Sequence, residues 1–163
     1  MRTQSPTPLR YSRELDQGQY PANIFNFHLN KTGSRSVGTE KGKSARRVLV
    51  VDDNSDSREM IAVLVELSGH QPQTAGDGAE AIHEANLHRP DAILLDIGLP
   101  DMTGYDVCRR LREQDWASEV PIIALSGWSE ADAVNESKEA GFDAHLVKPV
   151  DPADLIDLLS TLE

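Results

Sequence analysis

A doubly wound parallel α/β sheet is the fold class this sequence predicts, and three observations carry the prediction. Four apolar runs each close on a polar residue: Val48-Leu-Val-Val-Asp52-Asp53, Ala92-Ile-Leu-Leu-Asp96, Pro121-Ile-Ile-Ala-Leu-Ser126 and Ala144-His-Leu-Val-Lys148. Runs that are apolar without alternation mark strands buried on both faces. Helical patterns separate them, so from Arg47 onwards strand and helix alternate five times. Ligands of an open α/β sheet bind beyond the carboxyl ends of its strands. Three carboxylates, a hydroxyl and an ammonium are therefore expected to meet in one crevice.

The elements follow in order. After Asp53 the spacing predicts a helix over about 55–68, with Met60, Ile61, Leu64 and Leu67 on its inner face and Gly69 as its stop. Gln71–Ala75 reads as a short strand. Asp77-Gly-Ala-Glu80 has capping-box spacing and opens a helix with Ala81, Ile82 and Ala85 inward. Ala92–Leu95 is the next strand, and Thr103-Gly-Tyr-Asp106 caps a helix facing inward through Tyr105, Cys108 and Leu111. Val120–Leu125 precedes a helix over about 130–140 with a thin apolar face of Ala131, Ala133, Val134 and Ala140. His145–Val147 is the fifth strand. Asp151 as N-cap and Pro152 at the first helical position begin the last helix, with Leu155, Ile156, Leu159 and Leu162 inward. Five such units imply helices on both faces and the flavodoxin-like strand order 2-1-3-4-5.

Charge divides the chain. Residues 1–47 carry nine Lys/Arg against three Asp/Glu, whereas 48–163 carry seven against twenty-four. An acidic globular part excludes autonomous DNA binding, which needs basic surface against phosphates. Residues 1–45 are polar and basic without sustained periodicity and are expected to be a disordered tail; 46–163 form the domain. Within the tail, Ile24-Phe25-Asn26-Phe27-His28-Leu29 alternates, and is read as an apolar island rather than a strand that pairs elsewhere. The single cysteine, Cys108, excludes an intramolecular disulfide and is expected to be a buried thiol. No run approaches a membrane span and no apolar signal region opens the chain, so the expected location is cytoplasmic.

Asp52, Asp53 and Asp96 at neighbouring strand ends would repel one another in a crevice of low dielectric. A hard divalent cation with oxygen ligands relieves that repulsion, and Mg²⁺ suits a few carboxylates, waters and a phosphoryl oxygen. The alternative for Asp52-Asp53 is a pair of acids capping the following helix. Asp96 has no helix directly after it, and an aspartate so placed can act as a nucleophile. Lys148 is either a snorkelling surface residue or the positive partner of the acids, and three acids with no other basic strand-end residue favour the second; Ser126 can offer a hydroxyl to a phosphoryl oxygen or stand as a turn residue before Gly127.

These five positions, in this order, closely resemble the receiver domain of two-component response regulators, and the likeness covers residues 46–163. The resemblance implies that Asp96 accepts a phosphoryl group from a phosphohistidine of a sensor histidine kinase or phosphotransfer protein. It implies Mg²⁺ held by Asp53, Asp96 and the backbone carbonyl of Gly98, with Asp52 acting through water. Lys148 would pair with the phosphoryl group and Ser126 would bond one of its oxygens. Ser126 and His145 would form the switch, with output to a downstream protein on the face of the fourth helix, fifth strand and fifth helix. His145 departs from the Tyr or Phe that family members often place there. The stretch Gly141-Phe-Asp-Ala-His-Leu-Val-Lys-Pro149 also resembles receivers at the C-terminus of hybrid histidine kinases.

The expected function is thus that of a single-domain receiver, a phosphoacceptor rather than a dedicated enzyme. An aspartyl phosphatase of the haloacid-dehalogenase kind would want a second acid two residues after the nucleophile, where Gly98 stands. A dinucleotide-binding enzyme would want Gly-x-Gly-x-x-Gly after the first strand, where Asp52-Asp53-Asn54-Ser55 stands. An interaction module that is never phosphorylated would not need the full set of acids and lysine.

Overall fold

The computed structural model describes residues 24–26, 44–127 and 131–162. Its sheet runs, in chain order, through β1 (Ile24–Asn26), β2 (Arg47–Val51), β3 (Gln71–Ala75), β4 (Ala92–Asp96), β5 (Ile122–Ser126) and β6 (Ala144–Val147). The helices are α1 (Ser55–Leu67), α2 (Gly78–His88), α3 (Gly104–Arg112), α4 (Ala131–Ala140) and α5 (Pro152–Ser160). Spatially the order is β1-β6-β5-β4-β2-β3. The five parallel strands β2 to β6 therefore follow the expected 2-1-3-4-5 order.

Two apolar layers hold this sheet. On one side Val48, Val50, Leu94, Ile123, Leu125 and Leu146 pack against Ile61 and Val65 of α1 and Leu155, Leu158 and Leu159 of α5. On the other, Leu49, Val51, Ile93, Leu95 and Ile122 meet Ala81 and Ala85 of α2 and Val107, Cys108 and Leu111 of α3. Strand alternation sends neighbouring residues to opposite faces, which is why the central runs had to be apolar throughout.

The capping signals act as read. Asp77 accepts from the Glu80 N–H, Thr103 from that of Asp106 and Asp151 from that of Ala153. The helix faces differ in detail. Met60 and Leu67 are 45 % and 75 % exposed while Val65 is buried, and Ile156 is 41 % exposed while Leu158 is buried. Ile61, Leu64, Leu155, Leu159 and Leu162 face inward as expected, and only Met60, Leu67 and Ile156 fall at the solvent edge, where an apolar face about 100° wide leaves its flanking residues. Among the described residues no helix is long and apolar enough to cross a membrane.

One element overturns the expectation for the N-terminal segment. Residues 24–26 are a strand, paired antiparallel with β6 in the register Ile24↔Leu146, Phe25↔His145, Asn26↔Ala144. The open edge of β6 supplies hydrogen-bonding groups that sequence periodicity cannot show, and an extended segment satisfies them. Residues 1–23 and 27–43 of the expected tail, Phe27 and Leu29 among them, lie outside the described residues.

Candidate functional site

The parallel strands deliver their polar residues to one end of the sheet. Asp52 follows β2, Asp96 and Ser126 end β4 and β5, and Lys148 follows β6. Lys148 Nζ reaches Asp52 Oδ2 at 2.7 Å and Asp96 Oδ2 at 2.9 Å, so one ammonium bridges two carboxylates. Asp52 is fully buried and Asp96 nearly so, while Asp53 stands exposed at the mouth. One carboxylate oxygen from each of Asp52, Asp53 and Asp96 lies within 4.8 Å of the others.

The loops hold these groups in place. The helix cap expected as an alternative role for the acids belongs to Asn54, whose side chain accepts from the Ser57 N–H at 3.0 Å. Asp52 is left free for the crevice, where it accepts from the Asn54 N–H at 3.0 Å and the Ser57 hydroxyl at 2.8 Å. Arg58 donates to the Asp52 carbonyl at 2.6 Å. The Gly98 N–H donates to Asp96 Oδ1 at 3.0 Å, leaving Oδ2 to Lys148. Behind Asp96, α3 begins so close that a Cβ on Gly104 would sit 2.4 Å from the Asp96 carbonyl oxygen, which only glycine allows. The Lys148–Pro149 peptide is cis.

Electrostatics divides the two buried acids. Burial disfavours the Asp52 carboxylate, but Lys148, Ser57 and the Asn54 N–H outweigh it, and its pKa lies below the usual value. At Asp96 burial prevails, helped by the Asp52 charge, over Lys148 and the Gly98 N–H, and its pKa is raised. Burial also works against the Lys148 ammonium, yet its two carboxylate partners raise its pKa.

The structure therefore brings together Asp52, Asp53, Asp96 and Lys148, with Gly98 against Asp96 and Ser126 buried at the adjoining strand end. His145 does not enter the crevice. It is fully buried between β6 and α4, and its Nδ1 lies 2.9 Å from the Ser137 hydroxyl. Sequence reasoning passed over Ser57, Asn54, Arg58, Gly104 and Ser137. The first two carried a signal, since Asn54 and Ser57 have helix-cap spacing directly after the acids. Cys108 is buried as expected, and its thiol pKa is pushed up to about 12 by that burial, which leaves it unreactive.

Fold and site define a small α/β domain with an acidic cleft suited to a hard divalent cation. The chain belongs to the response regulator receiver domain family, whose profile matches residues 48–160. It is 42% identical over 123 residues to the transcriptional regulatory protein PrrA of Mycobacterium tuberculosis, an alignment covering 76% of this chain and 52% of PrrA. The chain thus spans about half the length of the curated relatives it matches. Among solved structures it resembles the chemotaxis response regulator CheY4 of Vibrio cholerae, at 32% identity and a TM-score of 0.70, covering 74% of this chain and 100% of that one. The receiver domain of a sensor histidine kinase from Pseudomonas aeruginosa matches at 32% identity and a TM-score of 0.67, covering 72% of this chain and 96% of that one; its structure holds a magnesium ion in the active-site cleft.

Proposed function

We propose that Asp96 is the phosphoacceptor, receiving its group from the phosphohistidine of a kinase or phosphotransfer protein. The observation that carries this reading is the Lys148 ammonium held 2.9 Å from Asp96 in a cleft walled by two further acids. A P–O bond forms to an Asp96 oxygen as the P–N bond of the donor imidazole breaks, the electron pair returning to the ring nitrogen. The clustered carboxylate oxygens fit Mg²⁺, which Asp53, Asp96 and the Gly98 carbonyl would hold, with Asp52 acting through water. Bound there, Mg²⁺ supplies neutralisation of phosphoryl charge. Lys148 moves from carboxylate to phosphoryl oxygen, Ser126 donates its hydroxyl, and Asp52 keeps the ammonium in reach. The work is positioning and charge neutralisation, as phosphoryl transfer requires.

The switch and the output belong to the same reading. Ser126 and His145 flank α4, and the downstream protein docks on α4, β6 and α5. Because His145 is already buried and bonded to Ser137 of α4, no swing in from solvent is left to it. Its movement is instead tied to that of α4. The domain acts in the cytoplasm and signals by this contact rather than by turnover of a substrate.

Incubation with acetyl phosphate and Mg²⁺ tests the assignment. One acid-labile phosphoryl group should be added, and Asp96→Asn or EDTA should prevent it. Labelling that survives either treatment overturns the reading.

A further inference from the structure

β6 has two edges, and only one of them belongs to the five-stranded core. Asp143 donates its N–H to the Ile122 carbonyl, on the β5 side. Backbone groups alternate along a strand, so Ala144 and Leu146 turn theirs to the other edge. Asn26 and Ile24 of β1 stand opposite those two residues. The segment thus closes the row of donors and acceptors that an output partner on α4, β6 and α5 would meet.

The connection favours pairing within one chain. β1 runs antiparallel to β6, so Asn26 lies opposite Ala144, at the same end of the sheet where Arg47 begins β2. At about 3.3 Å per residue, the segment 27–46 far exceeds the three strand spacings of about 4.8 Å from β6 to β2. A tether of that length presents β1 to its own edge at an effective concentration on the order of millimolar. Three residues make few ladder bonds, so β1 is held weakly and can be displaced. It also lies beside the site: Phe25 is opposite His145, and two residues beyond Leu146 the chain reaches Lys148.

We propose that Ile24–Asn26 is a tethered cap on the outer edge of β6, and that phosphorylation at Asp96 loosens it, baring the edge for an extended segment of a partner. The inference rests on the phosphoacceptor reading above. A phosphoryl group on Asp96 draws Lys148 off the Asp96 oxygen that helps anchor the end of β6, and the strand that carries the cap shifts with it. A partner's strand would use the same N–H and C=O groups, so cap and partner exclude one another. Linkage makes the effect reciprocal: a phosphoryl mimic that weakens the cap binds more tightly, by the same factor, where the cap is absent.

Amide exchange and chemical shifts of the full chain test this, with beryllofluoride and Mg²⁺ as the phosphoryl mimic. The Ala144 and Leu146 amides should be protected to the same degree at ten-fold different protein concentrations. In Ile24→Pro/Asn26→Pro, which removes two ladder donors, they should exchange at least ten-fold faster while β5 is unchanged. Saturating beryllofluoride should speed their exchange at least three-fold in the native chain, and the double-proline chain should bind it at least three-fold more tightly. Protection that grows with concentration would assign the strand to a second copy and overturn the cap. Protection indifferent to the prolines, or to bound beryllofluoride, overturns it as well. Beryllofluoride that leaves the shifts around Asp53 and Asp96 unmoved defeats the phosphoacceptor reading; shifts that move there without change at Ala144 and Leu146 defeat the cap alone.

Discussion

The Ser137 hydroxyl lies 2.9 Å from His145 Nδ1, and both residues are fully buried. The same hydroxyl donates to the Ala133 carbonyl one turn earlier at 3.0 Å. A hydroxyl has one proton, so with that proton committed to Ala133, Ser137 accepts from Nδ1–H. His145 is then the Nδ1-protonated tautomer, and α4 is bound to β6 by a polar link.

Ser137→Ala should remove this buried bond between α4 and β6 and cost about 1–3 kcal/mol in urea unfolding. His145→Phe in the same background should recover part of the loss, since the two changes together remove both ends of this bond. Equal and additive losses from the two changes would show that the pair is not coupled.

Gly104→Ala should destabilise the domain by about 1–3 kcal/mol, because its Cβ would press on the Asp96 carbonyl oxygen at 2.4 Å. The backbone there has nowhere to retreat without moving Asp96 itself. Phosphorylation by acetyl phosphate should slow in step, and a variant of native stability and rate would contradict the close approach.

The strand order and the crevice residues were legible because each buried strand spends its apolar residues in one run and ends on its polar one. Asp52, Asp96, Ser126 and Lys148 could therefore be assigned to strand ends without tertiary information. Helix faces were less legible: Met60, Leu67 and Ile156 sit at the rims of their stripes, where one residue's rotation decides burial. β1 was illegible, since what stabilises Ile24–Asn26 is the edge of a strand far along the chain. Ser137 gave no signal for the same reason, its partner lying on another element.

Asp96→Asn should stabilise the metal-free protein at pH 7 by about 0.5–1 kcal/mol, as relief of functional strain commonly does. The sign follows from linkage: the folded-state pKa of Asp96 is raised, so the native state binds its proton more tightly than the unfolded chain. Stability is then lost as pH rises from the usual carboxyl value through the raised one. The advantage of Asp96→Asn in EDTA should shrink as pH falls through that window, and a gain that grows on acidification would contradict the shift.

Lys148→Ala should have the opposite effect. It leaves Asp52 fully buried without its ammonium, and breaking a buried pair costs about 3–5 kcal/mol. The lysine side chain is 24% exposed, so solvent screens the contact and about 2 kcal/mol is expected at pH 7. Asp52 has a lowered folded-state pKa, so its stabilising contribution is present above the usual carboxyl value and is lost as pH falls through the lowered one. Part of that contribution comes from Lys148, so the deficit of Lys148→Ala should narrow on acidification. Asp52→Asn should rescue Lys148→Ala, since an amide needs no counter-charge, and Mg²⁺ should rescue it too by supplying one at the same carboxylates. Urea unfolding of the two single variants and the double variant, with and without Mg²⁺, gives all four comparisons. Additive losses, or a deficit that Mg²⁺ leaves untouched, would show that Lys148 is not the cation that holds the acids together.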